Sequence, residues 1–339
     1  MKIQTRSLYF QRKTAGLSLQ LTIGASMYHI IVNPMAKSGR GKKLWRTIEA
    51  GLIERKVKYD VYFSKRAGFV TKHVRELTES YNLTDNPKPL KIIILGGDGT
   101  INETLQGIDD FERVRIGYIP TGSSNDMARD LKLPKNPLEI LDIILSGGIG
   151  RIMDIGEVSY PGERKSRYFA VSCGIGFDAA VCAEVLTSRL KNALNKVRLG
   201  KLIYLMIALK QIITARKVAV NIYFDDNEEP IHYRKFLFAA GMVHKFEGGG
   251  FKFCPTADHT DGLLDICVVG SLPKVIILLA LPTAFYGKHL IFPGIDSYRC
   301  KTMRVEVSDP LWVHTDGEVE DPTKIARMTC HPQRLHMLC

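Results

Sequence analysis

The chain has 339 residues, enough for two domains with a core each, and its 45% hydrophobic and 24% charged composition excludes a disordered polymer. A formal net charge of +12 draws it toward a nucleotide, a phosphorylated metabolite or an anionic membrane, and without a helix-turn-helix, zinc module or aromatic-studded sheet motif nucleic acid is not the expected partner. The seven cysteines are scattered, with no CxxC pair, which fits a reducing cytoplasm and argues against a disulfide framework or structural zinc.

No apolar run reaches the roughly 18 residues needed to span a bilayer. The longest, Val275 to Ala284, is cut by Pro282 and reads as a buried helix. In the leader, residues 1–26, Leu17, Leu19, Leu21 and Ile23 alternate with Ser18, Gln20 and Thr22. That period is a strand's rather than a signal peptide's, so an edge strand or loose extension is expected, with a start at Met27 as the alternative.

From Tyr28 the pattern alternates. Strands are expected at Tyr28 to Val32, Tyr59 to Phe63, Lys91 to Leu95 and Val114 to Ile119. Helices are expected at Lys42 to Lys56, Val70 to Tyr81, from Asn102, from Ser124 and at Pro137 to Leu145. This order predicts a parallel sheet covered by helices, with ligands beyond the carboxyl ends of the strands. After Asp154 short β-rich segments take over, at Arg167 to Ser172, Val218 to Phe224, Lys235 to Ala240, Leu263 to Val269 and Thr302 to Val307. They predict a sandwich or open barrel, interrupted by helical stretches at Ala179 to Thr214 and Pro273 to Tyr286.

The strongest chemical signal is Gly96-Gly97-Asp98-Gly99-Thr100-Ile101-Asn102-Glu103, set between a strand and a helix. Three glycines in four positions let the backbone close in, so that successive N–H groups wrap a phosphate at the helix start. Asp98 in such a cradle repels phosphate unless a cation stands between them, which implies magnesium. Pro120-Thr121-Gly122-Ser123-Ser124-Asn125-Asp126 and Asn33-Pro34-Met35-Ala36-Lys37-Ser38-Gly39-Arg40-Gly41 leave two further strands on the same side. Each alone reads as a helix cap, and the three together read as a ligand site. Taken singly, Asp154 reads as a strand-end turn residue, and Asp316-Gly317 as a hairpin turn with Glu318 solvated.

This set resembles the diacylglycerol kinase catalytic family, above all its compact bacterial lipid kinases, which are distant relatives of NAD kinases and phosphofructokinases. The likeness runs from about Tyr28 to the end and rests on the uninterrupted Gly97 to Glu103 string, Ser123-Ser124-Asn125-Asp126, and His314-Thr315-Asp316-Gly317-Glu318. It implies a three-layer α/β domain over residues 27–155, with 325–339 returning to it, and a β-rich sandwich-like domain over 156–324. The implied reaction is ATP- and Mg2+-dependent transfer of a γ-phosphoryl group to a hydroxyl of diacylglycerol or a related lipid.

The resemblance also implies roles. ATP would be held by Asn33, Pro34, Ser38 and Gly39, by Ser64, by Gly96, Gly97, Asp98, Gly99, Thr100, Asn102 and Glu103, and by Ser123 and Asn125. Asp98, Asp126 and Asp154 would surround the catalytic magnesium and its waters, while Glu318 would act as general base with Asp316 nearby. In Pro255 to Leu263, Asp261 and the carbonyls of Asp258 and Leu263 would hold a second, structural magnesium, an unmetallated Asp-Gly turn being the alternative. One departure concerns the acceptor side: the family's Asn before the glycine run Gly248-Gly249-Gly250 is missing from Ala240 to Glu247.

The expected partner is a lipid at an anionic membrane surface, with the protein peripheral to the inner face of the plasma membrane and a homodimer left open. A basic, apolar stretch supports a surface contact: Arg189, Lys191, Lys196, Arg198, Lys201, Lys210, Arg216 and Lys217 surround a Leu- and Ile-rich run. A core helix with solvated ends is the competing reading. For the whole chain, the alternatives are an NAD kinase-like enzyme with a soluble acceptor and a non-catalytic nucleotide- or lipid-binding regulator.

Overall fold

A computed structural model describes residues 27–84, 86–148, 150–187, 200–214, 217–270 and 272–339. The leader and, from the basic stretch, Arg189, Lys191, Lys196, Arg198 and Arg216 lie outside the described residues.

The first half alternates as its sequence predicts: β1 (Tyr28–Val32), α1 (Ala36–Glu54), β2 (Tyr59–Phe63), α2 (Phe69–Asn82), β3 (Leu90–Gly96), α3 (Asp98–Leu105), β4 (Val114–Pro120), α4 (Asp126–Asp130) and α5 (Pro137–Leu145). The strands pair in parallel in the order β2-β1-β3-β4. Successive side chains of a strand face opposite sides, and here both sides are covered, which is why β3 is apolar almost throughout. Ile92 and Ile94 pack with Val70, Val74, Ile101 and Leu105 on one side, and Ile93 and Leu95 with Trp45, Ile48, Leu52, Leu141 and Ile144 on the other. Cutting one of these isoleucines back to alanine costs about 2–5 kcal/mol. Helix α5 starts where Asn136 accepts a hydrogen bond from Leu138 N at 3.1 Å, with Pro137 in the first turn.

The second half is antiparallel. Its strands are β5 (Arg151–Ser159), β6 (Arg167–Phe169), β7 (Ser172–Gly176), β8 (Val218–Phe224), β9 (Ile231–Phe236), β10 (Phe238–Met242), β11 (Leu264–Val269), β12 (Ile295–Cys300), β13 (Thr302–Thr315) and β14 (Glu318–Met337), with helices α6 (Phe177–Thr187), α7 (Gly200–Thr214) and α8 (Lys274–Ala284). They run β12-β11-β10-β7-β13-β14, with β8 and β9 off β13, and β5 and β6 off β14. Ile175, Val220, Ile222, Phe236, Val305 and Met328 fill a core of this sandwich-like domain.

Strand β14 joins the two domains. It pairs with β13 from Glu318 to Thr329 and with β5 from Arg327 to Met337, and its Met337 lies parallel beside Ile116 of β4. The Lys235 to Ala240 segment divides into β9 and β10 at Leu237, whose N–H donates to Val269 O at 2.9 Å and whose carbonyl accepts from Phe177 N at 3.1 Å. The helix expected from Ser124 is the single turn and a half of α4, and α1 begins earlier than Lys42, at Ala36.

Candidate active site

The loops after β1, β2, β3 and β4 meet at the carboxyl edge of the parallel sheet, around a cavity of about 370 Å³. Asn33, Ser64, Gly97, Gly99, Thr100 and Glu103 line it, together with Gly122 and Glu318. Glycine is required at the narrowest point, because a Cβ on Gly97 would stand 3.0 Å from Gly122 Cα and one on Gly122 only 2.7 Å from Gly97 Cα. Gly97 caps α3, with Thr100 N–H bonding its carbonyl at 2.9 Å. The free N–H groups of that first turn favour an anion.

Asp98 and Asp126 are neighbours: Asp126 N–H donates to Asp98 Oδ2 at 3.1 Å. Asp98 Oδ1 is buried without a hydrogen-bond partner among the described residues. Burial, and then the charge of Asp126, push the Asp98 carboxyl up to about 7. An orphaned carboxylate oxygen beside a second carboxylate and a phosphate-sized cradle fits a divalent cation, which would satisfy Oδ1 and offset the repulsion. Asp126 Oδ2 also accepts from Gly249 N at 2.8 Å, so the glycine run of the second domain closes on the nucleotide side. Gly248, Gly249 and Gly250 all have positive φ, from 64° to 124°, a path that only glycine follows without strain.

Glu318 enters the cavity from the β13–β14 hairpin, and its Oε1 lies 2.8 Å from where a Cβ on Gly99 would be. Asp316 at the hairpin turn has φ 52° and does not line the cavity. Its carboxylate accepts from Asn102 Nδ2 at 2.8 Å and from Ala170 N, Val171 N and Ser172 N at 2.9, 2.7 and 3.0 Å. Asn102 is fully buried in the same knot, with its Oδ1 accepting from Arg167 Nη2 at 2.6 Å. Burial works to raise the Asp316 carboxyl against these bonds. The knot fixes Glu318 two residues away.

Residues 27–158 match the model of the diacylglycerol kinase catalytic domain, and residues 171–339 that of the YegS C-terminal NAD kinase beta sandwich-like domain. The diacylglycerol kinase of Mycobacterium tuberculosis is 30% identical over 255 residues, 73% of this chain and 76% of that one. This chain belongs to the diacylglycerol kinase family. The diacylglycerol kinase of Staphylococcus saprophyticus is 27% identical over 295 residues, covering 85% of this chain and 88% of its own. A diacylglycerol kinase structure from Bacillus anthracis shares the fold, with a TM-score of 0.63 at 20% identity over 92% of this chain and 96% of that one.

Most of the other residues singled out by the family resemblance sit around the cavity rather than in it. Glu103 reaches the lining but spends Oε2 on Gly68 N at 3.0 Å and Val70 N at 3.1 Å, capping α2. Asn125, at φ 51°, donates to Gly122 O at 3.0 Å and shapes the loop. Gly96 packs under Thr100, whose Oγ1 lies 3.5 Å from Asn33 Nδ2. Pro34, Ser38 and Gly39 belong to the irregular entry into α1, where Gly39 has φ 90°, and Ser123 lies between Gly122 and α4.

Asp154 stands elsewhere. Its oxygens accept from Gly262 N and Gln333 N, both at 2.7 Å, and its acidic neighbours are Asp261 and Asp258 rather than Asp98. In the loop it grips, Asp258 Oδ1 is taken by Thr260, Asp261 Oδ1 by Leu263 N at 3.0 Å, and Asp261 Oδ2 by the Arg299 guanidinium. Of the ligands expected for a second magnesium, the Asp261 carboxylate is thus paired with Arg299, and the Asp258 carbonyl accepts from Asp261 N at 3.4 Å.

Two polar clusters of this diacylglycerol kinase family member were not read from its sequence. Fully buried His314 accepts from Gly317 N on Nδ1 at 3.2 Å, so its proton sits on Nε2, facing Asp178 at 3.3 Å and Glu247 at 3.2 Å. A protonated ring nitrogen is no metal ligand, and the three side chains form a post beneath the Glu318 hairpin. Asp130 Oδ2 lies 2.8 Å from His244 Nδ1, tying α4 to the segment after β10. Burial works to raise the Asp130 carboxyl, but the bond to His244, the charges of His244 and Lys245 and the Lys245 N–H together outweigh it and hold it below its ordinary value. Lys65 and Arg66, which line the cavity after β2, had one usable signal: adjacent cations directly after a strand ending at the ligand edge.

Proposed function

We propose that this chain transfers the γ-phosphoryl group of ATP to a hydroxyl of diacylglycerol or a closely related lipid. The observation that carries this reading is the position of Glu318 Oε1, in the same cavity as the Gly97–Gly99 phosphate cradle and close against Gly99. Backbone N–H groups at the start of α3 hold phosphate oxygens, and Lys65 and Arg66 add positive charge on the far wall. A magnesium ion held by Asp98 and Asp126 would neutralise charge on the transferring group. Glu318 takes the proton from the acceptor hydroxyl as the phosphoryl group reaches it, and Asp316 acts one step back by fixing the hairpin.

The same reading assigns residues 27–155 and the end of β14 to ATP and residues 156–324 to the acceptor, supported by the pairing of Met337 with Ile116. It places the protein at the cytoplasmic face of an anionic membrane, where the acceptor resides. No helix among the described residues is long and apolar enough to cross a membrane.

The test is transfer of label from ATP, followed by organic extraction. Glu318→Gln should lower turnover at least about a hundredfold with ATP affinity near normal. Unchanged turnover removes Glu318 from the chemistry, and label that stays in the aqueous phase on NAD replaces the lipid by a soluble acceptor.

A further inference from the structure

Helix α8 is apolar on both sides. Ile277 and Ala280 face inward and pack with Cys267 and Leu272, and Ala284 is buried as well. On the outward side Val275 is 66% exposed, Leu279 58%, Phe285 48% and Tyr286 79%, and Ile291 just beyond is 75% exposed. Positions 275, 279 and 282 repeat at helical spacing on one face of α8, and Tyr286 follows in the turn just past its end. The neighbouring α7 adds Met206, 51% exposed. A stripe of this kind on a soluble protein marks a docking surface.

Its charge pattern says what docks. From 266 to 295 there is no Asp or Glu, while Lys274 and Lys288 stand exposed at the two ends of the stripe. At the start of α8 a cavity of about 390 Å³ is lined by Lys217, Lys235, Leu272 and Pro273. Lys217 reaches into this corner to the Leu272 carbonyl, where it feels the charges of Lys235 and Lys274. Cations around a hollow beside an apolar stripe match phosphate headgroups beside acyl chains. A second copy of this chain, with the same cations, would repel there.

We propose that the outer face of α8, with the Lys217–Lys235–Lys274 corner, docks the protein on an anionic bilayer. The surface adjoins the site: Phe285 stacks on Phe251 with ring centroids 4.0 Å apart, and Phe251 directly follows the glycine run that bonds Asp126. A lipid drawn from the bilayer at this face therefore arrives beside the cavity. The choice of partner rests on the lipid-kinase reading; the existence of the surface does not.

The test uses the full chain and sedimentation with vesicles of phosphatidylcholine, with or without one quarter phosphatidylglycerol. The wild-type protein should pellet with the anionic vesicles and stay in solution with the neutral ones. Val275→Ser/Leu279→Ser/Tyr286→Ser should weaken that binding about tenfold or more, and Lys235→Glu/Lys274→Glu should do the same. If the serine variant fails to fold, the charge-reversal variant decides alone. Both should keep the wild-type rate on a short-chain diacylglycerol dissolved as monomers. Vesicle binding untouched by either set overturns the surface, as does a wild-type dimer in sedimentation equilibrium that the serine variant breaks. A protein that docks through α8 but labels no lipid leaves the surface standing and overturns the kinase reading instead.

Discussion

The two walls of the cavity are built differently. On the nucleotide wall many loop bonds are local: Met35 N bonds Asn33, Thr100 N bonds Gly97, and Asn125 bonds Gly122, all within three residues. The acceptor wall is held from afar. Asp316 reaches Asn102 across 214 residues, and Gly249 reaches Asp126 across 123. Short-range loops can form as soon as their strands do, whereas the wall carrying Glu318 takes its geometry from the completed fold. Damage to the first wall should therefore appear in chemistry, and damage to the second in stability and alignment together.

The sharpest break of that contrast is Asp98→Asn, which should reduce turnover about a thousandfold by removing the carboxylate that calls for the cation. It should leave the metal-free fold intact or firmer. Because burial raises the Asp98 carboxyl from 3.8 to about 7, the stability linked to its protonation is present at low pH and lost as pH rises through that window. In EDTA, urea midpoints of the wild type should fall between pH 5 and pH 8 relative to those of Asp98→Asn, and parallel profiles would contradict this assignment.

Next comes Asp316→Ala, which strips the acceptor from four donors, Asn102 Nδ2 and three backbone N–H groups. A loss of about 3 kcal/mol or more is expected, together with a drop in turnover, read by denaturant titration and label transfer. Turnover lost with stability unchanged would move Asp316 into the chemistry. The smallest effect belongs to Arg299→Ala. The guanidinium is about half exposed, 47%, so its pair with the partly exposed Asp261 contributes roughly 0–1 kcal/mol. In Asp98→Asn, which lacks the carboxylate of the first cation site, magnesium or chelator should leave the melting temperature where it is. A melt of that variant that still shifts with magnesium would point to a second cation at Asp261.

What the residues revealed in advance follows the same division. Ile92 to Leu95 is a run of apolar residues closed by glycines, and both its strand and its loop could be read from neighbours alone. The family resemblance put Asn102 on the nucleotide, yet its amide is spent on Tyr168 O and Asp316, partners that no local pattern announces. Asp154 was grouped with Asp98 by the same resemblance, and the fold turns it instead to Gly262 and Gln333. Val275 to Ala284 reads as a buried helix because hydrophobicity alone does not say which side of an apolar helix meets protein. Its exposed stripe becomes visible only once α8 lies on β11.

Strand β14 carries Glu318 at one end and sits beside β4 at the other, 20 residues of one extended ribbon through both domains. A cleft crossed by such a ribbon opens by twist or shear rather than as a free hinge, since parting the walls means bending the strand. The ribbon's ladder is irregular against β13 between Glu320 and Ile325, and again nearer its end. Its pairing with β5 slips between His331 and Leu335, where Gln333 turns to φ 49° and Asp154 clasps its N–H. Asp154 would then govern how stiffly the two substrates are brought into register, as a clamp on the flexure instead of a ligand in the cavity.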